Sequence, residues 1–150
     1  MAINIKLIKQ LRQMSKAGVT DCKRALEEAN GNLKKATELI NQWGAAKADK
    51  KSDRATKVGL VEAYIHAGGS VGSLVSVACE TDFVARTDEF KKLAHELAMQ
   101  IAAMDPKNPD ELLKQAYIRD QNVTIEQLIK QTITKVGENI RVVAFSRQSF

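Results

Sequence analysis

Apolar residues recur every three or four positions over residues 4–44, every second position from residue 61, and every three or four again after residue 88. The first region predicts helices. Leu7, Leu11 and Met14 share one face of residues 4–16, with Lys6, Lys9, Gln10, Gln13 and Lys16 elsewhere, and Gly18 is the expected stop. From about Thr20 to Asn30, Cys22, Ala25, Leu26 and Ala29 form a second stripe. Thr20 is its expected cap and Asn30-Gly31 its break. A third helix starts at Asn32, carries Leu33, Ala36, Leu39, Ile40 and Trp43, and is expected to end at Gly44. Residues 1–44 thus predict a three-helix module whose small core suits binding rather than chemistry. Residues 45–57 show no apolar face and interleave five basic residues with Ala and Asp. They predict a basic tether, helical or flexible.

The period then changes to two. Val61, Ala63, Ile65 and Ala67 fall on one face of a strand, and Glu62, Tyr64 and His66 on the other, read as the outer face. Gly68-Gly69-Ser70 supplies a hairpin turn. The return strand carries Val75, Val77 and Cys79 on one face and Ser76, Ala78 and Glu80 on the other, and runs into Thr81-Asp82-Phe83. A long helix is predicted over 88–104, capped by Thr87, with Phe90, Leu93, Ala94, Leu97, Ala98, Ile101 and Met104 in one stripe. Asn108-Pro109 opens a short helix through about Ala116. Thr124 and Gln127 form a capping box for a helix that buries Ile125, Leu128, Ile129, Ile133 and Val136 and closes at Gly137. Residues 140–146 read as a third strand, which the hairpin needs for stability. The predicted class is α+β: module 1–44, linker 45–57, and a core over 58–150 of a three-stranded antiparallel sheet packed with helices.

Charge changes this picture in one respect. Residues 1–57 hold 13 Lys/Arg against 6 Asp/Glu, and residues 58–150 hold 10 against 12, within a net charge of +5. A basic front half suits an acidic partner, so nucleic-acid or ribosome binding through residues 1–57 is one reading. The linker lacks the interleaved aromatics that stack on bases. No transmembrane span or secretory signal is expected. Cys22 and Cys79 sit among apolar positions and read as buried free thiols, which fits a reducing cytoplasm.

Candidate chemistry is sparse. His66 and His95 lie at no metal-ligand spacing, and the glycines at 68, 69 and 72 join two strands instead of opening a helix. Glu80 and Asp82 are paired carboxylates at a strand end, the one candidate pair for acid–base work. An enzyme is not the expectation. Phe83 follows them at a strand-to-helix junction, where an aromatic either closes the core or projects into a partner.

Four blocks carry a resemblance. They are Leu11-Arg12 with Ala17 through Leu26 and Ala29-Asn30-Gly31; Gly68-Gly69 with Cys79-Glu80-Thr81-Asp82-Phe83-Val84-Ala85-Arg86; His95 through Met104; and Lys135 through Ile140. In these the chain resembles the elongation factor Ts family, nucleotide exchange factors for elongation factor Tu, over nearly its whole length. The resemblance implies a ubiquitin-associated-like (UBA-like) fold for the module and a cytoplasmic protein that binds Tu·GDP and releases GDP. It implies that Asp82 and Phe83, flanked by Thr81 and Val84, enter beside the nucleotide and Mg²⁺ site. It also implies that the module touches the GTPase domain, with Val19 and Lys23 as the positions for that contact. No cofactor or metal of its own is implied. The family often has a longer helical segment where Asp105 to Glu111 stands here, and long members carry a second core subdomain and a coiled coil. Short members form homodimers through the core sheet, and the same is expected here. Val143-Ala144 replaces the usual Arg-Arg and Ala78 the usual Asn, and both departures bear on contacts with the distal domains of Tu.

Overall fold

The computed structural model describes residues 3–150. The reading of Met1 and Ala2 lies outside them. Helices α1 (Ile5–Ser15), α2 (Val19–Glu28) and α3 (Leu33–Lys51) come first, followed by strands β1 (Val58–Ile65) and β2 (Val71–Cys79). Then come α4 (Asp82–Ala85), α5 (Asp88–Met104), α6 (Pro109–Lys114), β3 (Ala116–Tyr117), β4 (Asp120–Thr124), α7 (Ile125–Val136) and β5 (Arg141–Ser149). The class is α+β, as expected. Strands β1, β2 and β5 form a three-stranded antiparallel sheet in the order β1-β2-β5, with helices on one face.

The first three helices bury Leu11, Cys22, Ala25, Leu26, Ala29, Ala36 and Ile40 in a core of their own. Two local signals act differently from expectation. Lys16, not Gly18, ends α1 in the left-handed conformation at φ 58°, while Gly18 at φ −62° is the N-cap of α2. Thr20 therefore falls inside α2. Met14 is 61% exposed, because Leu11 alone from that helix is fully covered.

Gly44 does not end α3. The helix continues through it to Lys51 and takes up half of the expected linker. The reason is a helix crossing. A Cβ at Gly44 would lie 2.7 Å from Thr134 Oγ1 and 3.1 Å from its Cγ2, so the missing side chain lets α3 approach α7. One turn later Ala48 is buried in the main core with Ile129, Ile133 and Ile140, and Lys130 Nζ reaches Asp49 at 2.9 Å. Helix α3 thus belongs to both cores.

The faces of β1 are also reversed from expectation. Val61 and Ile65 are 66% and 67% exposed, while Val58, Leu60 and Tyr64 pack on the main core. Cross-strand pairing fixes this. Val58 pairs with Cys79, Leu60 with Val77 and Glu62 with Val75. Directly opposed residues point to the same side of a sheet, and Val75, Val77 and Cys79 face the helices. The apolar set of β1 consequently lies on the open face with Leu74. A register shift opposite Ser76/Val77 leaves Val143 of β5 as the extra residue, also exposed.

Helix α5 spans Asp88–Met104 under a Thr87 cap and buries its stripe from Phe90 to Ile101, with Met104 exposed. It also buries Glu96 and Gln100. These two hold a β3–β4 hairpin that the residue pattern did not indicate. Tyr117 Oη and Arg119 Nε both donate to Glu96, the latter at 2.7 Å, and Gln100 bonds Ala116 O and Ile118 N at 3.1 and 3.0 Å. Helix α6 accordingly stops at Lys114. Helix α7 shows the Thr124–Gln127 capping box and ends at Gly137, φ 77°.

Candidate protein-interaction site

Strand β2 ends at Cys79, and the chain turns outward over Glu80-Thr81 into the single turn of α4. Thr81 is the N-cap, its Oγ1 accepting from Val84 N at 3.4 Å. The Cys79 thiol donates to Thr81 O at 3.2 Å. At the other end Thr87 Oγ1 donates to Val84 O at 2.7 Å and caps α5 through Phe90 N at 3.3 Å. Val84 and Phe90 are buried in the main core. Between these fixed points Phe83 is 82% exposed and Asp82 faces solvent beside it. A core plug would be covered, so the ring belongs to the surface.

A clasp braces this turn from across the sequence. Glu138, directly after the Gly137 cap, accepts from Thr81 N at 2.9 Å and Glu80 N at 3.2 Å through one oxygen, and from Thr81 Oγ1 at 2.7 Å through the other. In return Glu80 accepts from Asn139 N at 2.7 Å and lies 3.6 Å from Arg54. Asn139 Nδ2 donates to Ser52 O and Arg54 O at 3.3 and 2.9 Å. Turn, α7–β5 corner and the segment after α3 are thereby tied together. Glu138 and Asn139 were legible only as part of a resemblance block. No local pattern announces a carboxylate that acts 57 positions away.

The remaining candidates are dispersed. Val19 and Lys23 are exposed on the first turns of α2, and Lys23 meets Glu27 at 3.9 Å. His66 Nδ1 is 2.9 Å from Tyr64 Oη, and His95 lies 3.8 Å from Glu62. The Glu80 carboxylate is engaged by Asn139 and is not paired with Asp82 for proton transfer. Both thiols are buried, and burial raises the pKa of each; Glu138 adds to the rise at Cys79. Among the described residues, no group of three or more His, Cys, Asp or Glu is arranged to hold a metal ion, and no helix is long and apolar enough to cross a membrane.

The fold and the site define an α+β protein that presents one exposed aromatic side chain on a braced turn. The family model for "Elongation factor TS" matches residues 80–149, which include the turn and the Glu138 and Asn139 of its clasp. Elongation factor Ts of Thermotoga neapolitana is 41% identical over 190 aligned positions, covering 98% of this chain and 96% of that protein. That of Thermotoga maritima is 42% identical with the same coverage, and that of Rippkaea orientalis 44% identical over 97% of this chain and 77% of its own. The chain belongs to the elongation factor Ts family, guanine-nucleotide exchange factors of translation elongation.

Proposed function

We propose that this chain binds GDP-loaded elongation factor Tu in the cytoplasm and releases the nucleotide by protein contact, with Asp82 and Phe83 entering beside the nucleotide and Mg²⁺ site. The observation that carries the reading is the 82% exposure of Phe83 on a turn whose neighbours are capped and buried. Exposing an aromatic ring to water is unfavourable, and a rigid ring that enters a partner pocket contributes roughly 2–4 kcal/mol. Thr81 and Val84 serve as the cap and the anchor of that probe. A partner that prefers nucleotide-free Tu must weaken nucleotide binding by the same coupling free energy. No bond is made or broken by this chain in such a cycle.

The three N-terminal helices, read as the UBA-like module, supply a second contact at Val19 and Lys23, and α3 fixes their distance from the probe. The chain pairs with a second copy through the open sheet face, where Val61, Ile65, Leu74 and Val143 lie exposed. A self-complementary apolar face suits a two-fold contact.

Release of fluorescent GDP from Tu tests the reading. The wild-type chain accelerates it, and Phe83→Ala lowers kcat/KM roughly 30- to 1,000-fold, the equivalent of the hot-spot energy. A wild-type chain without effect sinks the exchange activity. An unimpaired Phe83→Ala sinks the probe while the family assignment stands.

A further inference from the structure

The clasp around Glu138 touches the residues that aim the ring. Strand β2 pairs with β1 only as far as Cys79 and with β5 only as far as Ala78. The N–H groups of Glu80 and Thr81 therefore lie beyond the ladder, and one Glu138 oxygen accepts both. Its other oxygen takes the hydroxyl proton of Thr81, which leaves the Thr81 lone pairs free to cap Val84 N. Helix α4 has four residues. A single turn does not hold itself in water, because fixing its dihedrals costs more than its few hydrogen bonds return. Its direction, and so the direction of Phe83, depends on what grips its ends. The Val84–Thr87 contact grips the C-terminal end, and Glu138 grips the N-terminal end.

We propose that Glu138 is the positioning residue of the Phe83 probe. Resting on the exchange reading above, this assigns Glu138 a part in nucleotide release through pre-organisation, without contact with Tu. The Glu138 carboxylate is itself placed well for this. It follows the left-handed Gly137 cap, and the next residue, Asn139, donates its backbone N–H to Glu80. Two carboxylates thus each accept backbone N–H groups from the other side of the joint, Glu138 from Glu80 and Thr81 and Glu80 from Asn139. Thr81 is exposed and Glu80 half-buried, so water reaches the freed groups when Glu138 is truncated, and the fold loses little. The bound state instead bears the cost of ordering a loosened turn, and this appears in apparent affinity more than in maximal rate.

The test uses Glu138→Ala, Glu138→Gln, Phe83→Ala and the double variant Phe83→Ala/Glu138→Ala, with fluorescent-GDP release from Tu over a range of chain concentrations. Glu138→Ala is expected to lower kcat/KM roughly tenfold, mainly through KM, with Tm changed by a few degrees at most. Glu138→Gln keeps an acceptor for both N–H groups and returns kcat/KM to within roughly threefold of wild type. In the Phe83→Ala background, Glu138→Ala adds less than a roughly threefold loss, because a residue that acts through Phe83 has nothing left to position. The proposal is overturned if Glu138→Ala stays within twofold of wild type, if Glu138→Gln is as impaired as Glu138→Ala, or if the full loss recurs in the Phe83→Ala background. A Glu138→Ala chain that does not fold also overturns it, since the clasp would then be a determinant of the fold. An unimpaired Phe83→Ala removes the probe reading and this inference together. An impaired Phe83→Ala with additive effects removes this inference alone.

Discussion

Replacing Gly44 by alanine sets two opposing terms against each other at one atom. In a helix interior Ala is favoured over Gly by about 1 kcal/mol, through the backbone entropy of the unfolded chain. Against this, the new Cβ meets Thr134 Oγ1 at 2.7 Å and Cγ2 at 3.1 Å. Thr134 cannot swing away freely. It is β-branched with few χ1 choices, and its hydroxyl donates to Lys130 O at 3.0 Å. Overpacking of this kind costs about 1–3 kcal/mol. Gly44→Ala is therefore expected to destabilise the chain by about 1 kcal/mol net, a drop in Tm of about 2–4 °C. In a Thr134→Ala background the two closest of these atoms are gone and the Cβ of residue 134 lies at 3.4 Å, an ordinary van der Waals contact. There the helix-propensity term stands alone, and Gly44→Ala is expected to stabilise. Urea unfolding followed by far-ultraviolet circular dichroism on the four chains of this cycle gives the coupling, expected at about 2 kcal/mol. A Gly44→Ala effect of the same sign and size in both backgrounds would refute the claim that α3 presses on α7 at this point.

Two further outcomes are expected. The pKa of Tyr117 is raised by burial and then by Glu96, so the folded chain keeps the phenol proton after the unfolded chain has lost it. This contribution is present below about pH 10 and is lost as pH rises from there toward the folded value. Tyr117→Phe should cost about 1–2 kcal/mol at neutral pH, and its unfolding curve should converge on that of wild type above about pH 10. A gap that persists unchanged at alkaline pH would show that the phenol is not held by Glu96. On the open sheet face, Val61→Lys with Ile65→Lys should raise the dimer dissociation constant by roughly a hundredfold or more, through like charges brought together. Sedimentation equilibrium reads this directly, and a wild-type chain that stays monomeric at micromolar concentration removes the sheet-paired dimer.

Helices whose stripes and caps agree were legible from the residues alone. Helix α5, with Thr87 before it and Phe90 to Ile101 on one face, and α7, with its capping box and Gly137, have the expected bounds. What could not be read depends on partners distant in sequence. Gly44 reads as a stop because a glycine after an apolar stripe commonly ends a helix, and only the proximity of Thr134 gives it another purpose. The faces of β1 cannot be assigned from alternation when both contain large side chains. Leu60 and Tyr64 compete with Val61 and Ile65, and pairing with β2 decides. The β3–β4 hairpin turns at Ile118-Arg119 without Gly or Asn, so local turn chemistry is silent, and Glu96 and Gln100 supply the support. At the site, alternation led to Phe83 but left plug and probe equal. Val84 takes the inward position of that turn, which leaves its neighbour outward.

The continuous α3 has a consequence for the evolution of the chain. With 19 residues it spans about 28 Å, from the first core into the second. A helix couples length to angle. One residue gained or lost in its middle swings everything before it by about 100° and moves it by about 1.5 Å. The three-helix unit and the Phe83 turn therefore keep a fixed phase as well as a fixed spacing. Changes of length are tolerable only in near-whole turns, whereas residues 55–57, which have no helix to wind and lie beyond the Ser52 and Arg54 carbonyls that Asn139 holds, can vary without turning one contact surface away from the other.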